Sequence, residues 1–92
     1  MSVDVDIYMN NIQKFFRENP KELLNLIPKG TEQDFYEKIR ETARKNFEKN
    51  GEAGLTRTQL LDICKELNQV KTTVPIIPNV IIMTPFGGYS LN

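Results

Sequence analysis

The chain has 92 residues, a single cysteine, no histidine, and 12 basic against 12 acidic side chains. That length supports one small domain, burying only about 60–65% of its unfolded surface; the lone Cys64 excludes an internal disulfide, and the missing histidines remove the common Cys/His zinc sites. A net charge of zero, with acids and bases interleaved, lacks the basic surplus of a dedicated nucleic-acid binder, and the single thiol points to a reducing cytoplasm.

The opening MSVDVDIYMN has neither the basic n-region nor the apolar h-region of a signal peptide. Residues 4–17 read as a helix. Val5, Tyr8, Met9, Ile12, Phe15 and Phe16 recur at three- and four-residue spacing and form one apolar stripe. Asp4 and Asp6 suit the positive end of the helix dipole, and Lys14 and Arg17 the negative end. Asn19-Pro20 restarts the chain, because Asn is a favoured N-cap and proline fits the first helical position. A short helix over 20–27 follows with Leu23, Leu24, Leu26 and Ile27, ended by Pro28 and Gly30.

The longest element is predicted over 32–49, with Thr31 as N-cap. Phe35, Tyr36, Ile39, Ala43 and Phe47 make its buried stripe, and Asp34–Lys38 and Glu41–Lys45 are i,i+4 pairs in the favourable order. Asn50-Gly51 stops it, since glycine accepts the left-handed conformation at low cost. The sharpest local signal comes next. Thr56 and Gln59 have the spacing of a capping box, and Leu55 and Leu60 that of a hydrophobic staple. The helix 57–68 then buries Leu60, Leu61, Ile63, Cys64 and Leu67. On that face Cys64 reads as a small hydrophobe and not as a reactive thiol.

Beyond residue 68 the composition changes. Lys71 is the only charged side chain in 69–92, and 11 of the 23 residues from Val70 onward are large apolar types. A disordered tail has the opposite composition, so this one is expected to be covered, by its own helices, a twin subunit or another protein. Pro75, Pro78, Pro85, Gly87 and Gly88 exclude a membrane-spanning helix. Val74–Ile77 and Val80–Met83 are β-prone runs about Pro78-Asn79, as a hairpin or as two extended segments. Thr84–Tyr89 is a flexible turn carrying two aromatic anchors.

Three motifs have functional readings. The helix–GEAGL–helix segment 32–68 has the outline of a helix-turn-helix, with the tail as a wing. Arg57, Thr58 and Gln59 would then be the nucleic-acid contacts, although Glu48, Glu52, Asp62 and Glu66 around them would repel phosphate. The stretch 48–60 resembles a decayed EF-hand calcium loop, with Glu48, Asn50, Glu52 and Gln59 at ligand positions and Leu55 at the apolar one. It departs from that pattern at Ala53, which replaces the required glycine, and at Gln59, which offers no carboxylate. No metal or cofactor is therefore assigned. Without histidine, and with its carboxylates spaced among lysines as on solvated faces, the chain carries no catalytic constellation.

The expected architecture is mainly α: a bundle of three to four helices over 1–68, with an extended or β-hairpin segment over 69–92. The expected function is non-enzymatic protein–protein interaction or assembly, with itself or within a larger complex. Ile76, Ile77, Val80, Ile82, Phe86, Tyr89 and Leu91 are the partner-binding candidates; a helix-turn-helix or winged-helix regulator is the alternative. The capping box yields a direct test. By equilibrium denaturation Thr56→Ala should cost about 0.5–2 kcal/mol, and Leu60→Ala, which also opens the core, roughly 2–5 kcal/mol.

Overall fold

The computed structural model describes residues 3–69, and the predicted segments 74–77 and 80–83 lie outside them. Four helices follow one another: α1 (Val3–Glu18), α2 (Pro20–Leu26), α3 (Glu32–Asn50) and α4 (Arg57–Asn68). No strand occurs among the described residues. α1 packs on α3, α3 on α4 and α2 on α1. None of these helices is long and apolar enough to cross a membrane.

The core is the sum of the apolar stripes. α1 contributes Val5, Tyr8, Met9, Ile12 and Phe16; α2 and its C-cap contribute Leu23, Leu26 and Ile27. α3 contributes Phe35, Ile39 and Ala43, and α4 contributes Leu60, Ile63 and Cys64. Phe16 meets Phe35 edge-on at 6.0 Å between ring centroids and seals α1 against α3. Each large apolar side chain here is worth roughly 1.5–3 kcal/mol when fully buried. The ion pairs between helices, Lys38–Glu66 at 2.8 Å and Arg40–Asp6 at 2.9 Å, lie at the surface, where solvent screening leaves such pairs little net stabilisation. Burial therefore holds the bundle together, and the ion pairs only bias its register.

Several local expectations are corrected. Asn19 and Thr31 do stand at the N-cap positions of α2 and α3, yet neither side chain caps its helix. Their backbones, with ψ of 65° and 13°, are not extended as a capping side chain requires. The Asn19 amide instead donates to the Phe15 carbonyl at the end of α1, and the Thr31 hydroxyl donates to the Pro28 carbonyl at 2.7 Å. The Glu32 carboxylate accepts from the Gly30 N–H at 2.8 Å, which ties the first residue of α3 to the preceding turn. Lys38 pairs with Glu66 of α4 and not with Asp34, and that contact raises its pKa. On α3 the fourth buried position is Asn46, while Phe47 is only partly buried. Glu41–Lys45 forms loosely, at 3.9 Å.

α4 ends on Asn68, whose amide donates at 2.7 Å both to the Leu26 carbonyl at the end of α2 and to the Cys64 carbonyl. Its Oδ1 is buried with no partner among the described residues. Two large hydrophobic side chains stand outside the core among the described residues: Ile7 of α1, 52% exposed, and Leu24 of α2, 47% exposed.

Burial pushes the Cys64 thiol from the ordinary 9.0 up to about 11. It also raises the Tyr8 hydroxyl, against the opposing backbone hydrogen bond from Leu55. Both groups keep their protons longer folded than unfolded; the contribution of the thiol is complete below pH 9 and is lost as the pH climbs through 11, while that of Tyr8 begins to fall only above pH 10. Urea unfolding should show stability falling across that window by on the order of 2 kcal/mol for the thiol alone. Cys64→Ala should flatten the decline without abolishing the Tyr8 part, and pH-independent stability from 8 to 11 would contradict the burial of both groups.

Candidate interaction surface

The turn between α3 and α4 is the most heavily hydrogen-bonded connection among the described residues. α3 stops at Gly51, whose φ of +81° is the left-handed value glycine adopts freely, and the Gly51 N–H closes on the Phe47 carbonyl at 2.8 Å. Ala53, Gly54 and Leu55 then pass through the interior. Thr56, with extended backbone, caps α4. Its hydroxyl accepts from the Gln59 N–H at 3.1 Å, and its own N–H donates to Gln59 Oε1 at 3.0 Å. The predicted capping box is present in full, and Leu55 and Leu60 are both completely buried.

Gln59 does more than close the box. Its carboxamide pairs with that of Asn46 on α3: Asn46 Nδ2 donates to Gln59 Oε1 at 2.9 Å, and Gln59 Nε2 donates to Asn46 Oδ1 at 3.2 Å. Asn46 Nδ2 also donates to the Gly54 carbonyl at 2.7 Å. A buried backbone carbonyl in the turn is thus satisfied by a side chain one helix away. Tyr8 of α1 adds a third anchor through its hydroxyl and the Leu55 backbone.

These contacts place the sequence candidates. Arg57 and Thr58 are exposed at the start of α4, while the Gln59 side chain turns inward and is occupied by Thr56 and Asn46. Glu48, Asn50 and Glu52 are exposed around the end of α3, and the Gln59 carboxamide does not join them. No three Asp, Glu, Cys or His side chains gather at a metal-sized site among the described residues. Ile76, Ile77, Val80, Ile82, Phe86, Tyr89 and Leu91 lie outside the described residues.

One surface feature was not anticipated from sequence. An open, mainly apolar groove of about 240 Å³ runs between α1 and the α3–α4 turn. Asp4, Ile7, Tyr8 and Asn11 form one wall, and Gly51, Glu52 and Ala53 the other. The α1 residues are spaced as one helical stripe, which was legible; their partner wall depends on how the turn folds back, which was not. Asp6, beside this stripe, is paired with Arg40, whereas Asp4 and Glu52 make no ion pair among the described residues.

No family model, curated protein or solved structure matches this chain.

The amide pair is open to a direct measurement. Asn46→Ala strands the Gly54 carbonyl and half of the Gln59 amide and should cost about 1–3 kcal/mol. In a double-mutant cycle with Gln59→Ala the two changes should be non-additive by roughly 0.5–3 kcal/mol. Additive losses would show that the two amides act independently.

Proposed function

We propose that this protein is a small, non-enzymatic interaction or assembly module, working through its helix faces and its apolar C-terminal segment within a reducing cytoplasm. The observation that carries this reading is the composition of residues 70–92. With 11 large apolar residues and only Lys71 charged, that segment has a strong drive to be covered. Each such side chain, if fully buried on a partner, contributes roughly 1.5–3 kcal/mol. Ile76, Ile77, Val80 and Ile82 offer an extended apolar face, and Phe86, Tyr89 and Leu91 offer anchors for pockets.

The nucleic-acid reading retains Arg57 and Thr58 at the start of α4, but the inward commitment of the Gln59 amide weighs against its third contact. The zero net charge weighs against its electrostatic term.

Size-exclusion chromatography with light scattering, on the full chain and on a chain ending at Gln69, tests the proposal. The shortened chain should lose assembly mass, melting temperature or solubility. If all three are unchanged, the segment is no interaction element. Tight association with mixed-sequence duplex DNA that weakens steeply with salt and falls with Arg57→Ala would favour the regulator instead.

A further inference from the structure

We propose that the groove between α1 and the α3–α4 turn receives α2 of a second copy of this chain, with Leu24 entering beside Ile7 and Lys21 meeting Asp4 and Glu52. The inference rests on the protein-binding reading above and gives it a surface and a partner. Ile7 and Leu24 are the two large hydrophobic side chains exposed among the described residues, and they lie on different helices. One lines a concave groove, while the other projects from a seven-residue helix.

The surroundings of the two are complementary in charge. The groove carries the exposed Asp4 and Glu52, free of ion pairs among the described residues. Lys21 stands three residues before Leu24 and so shares its face of α2, while Glu22, two residues away, points elsewhere. Like charges in this arrangement would oppose docking, and opposite charges fix its register. The size also agrees. A groove of about 240 Å³ is below the usual range of small-molecule pockets, roughly 300–1,000 Å³, and suits one or two side chains. Its turn wall is held by the Asn46–Gly54 contact, so docking orders little new structure. A Cβ built on Gly51 would meet nothing within 4 Å, which leaves the backbone there open to close approach.

Donor and acceptor surfaces differ, so the contact is head-to-tail: each copy offers α2 to one neighbour and its groove to another. A contact centred on one leucine belongs to the small, transient class of interfaces.

Complementation of two variants tests this by sedimentation equilibrium on the full chain, with melting temperature as the check on folding. Ile7→Asp spoils only the groove and Leu24→Asp only the projection, both at exposed positions. Each alone should reduce self-association at least tenfold, whereas their equimolar mixture should form a one-to-one dimer that grows no further. Lys21→Glu should weaken wild-type association and be rescued in the Asp4→Lys/Glu52→Lys background. Absence of wild-type self-association, unchanged association in both single variants, or a mixture that stays monomeric would each overturn the proposal. If association vanishes on ending the chain at Gln69 but survives Ile7→Asp and Leu24→Asp, the C-terminal segment is the contact; this inference then fails and the broader reading stands. The reverse pattern supports the groove and removes the segment from assembly.

Discussion

The carboxamide pair between Asn46 and Gln59 is the constraint on which the rest of this small structure turns. Asn46 occupies a buried position in the stripe of α3 otherwise filled by Phe35, Ile39 and Ala43. A polar side chain there is tolerable only with its hydrogen bonds made. Gln59 and the Gly54 carbonyl make them, which brings the first turn of α4 against the last turns of α3. Leu55 is thereby carried into the core, and its backbone reaches Tyr8 of α1. The same arrangement sets Gly51–Ala53 opposite the Asp4–Asn11 stripe, so an interior polar contact shapes an exterior groove.

Apolar burial supplies most of the free energy, and the polar contacts decide which of several similar packings is adopted. The two inter-helix ion pairs lie on the surface and consume Asp6, Lys38, Arg40 and Glu66. This consumption matters for recognition. The charges outside these pairs are a selected subset, and around the groove that subset is acidic even though the chain is neutral.

What was legible in the sequence was local. The stripe of α1 and the limits of all four helices follow from three- and four-residue spacing and from stop signals a few residues apart. The Thr56–Gln59 box was readable because both partners lie within one helical turn. Asn46 was not, because its partners are 8 and 13 residues away and an asparagine beside Phe47 reads as a surface residue. Thr31 and Asn19 were misassigned in role for a related reason. Residue type identifies a cap position, but whether the side chain caps depends on a ψ value set by the preceding turn. The groove needs two segments at least 40 positions apart to meet, and no short-range pattern contains that.

The end of α4 shows how one side chain can couple two helix ends. Asn68 ties the last helical turn to the end of α2, and Gln69 leaves it with φ 58° and ψ −72°, a rare and strained backbone setting near that of a γ-turn. The last turn of α4 is thus clamped to the end of α2. Because one amide holds the ends of both helices, a change that loosens the end of α2 would also release the last turn of α4.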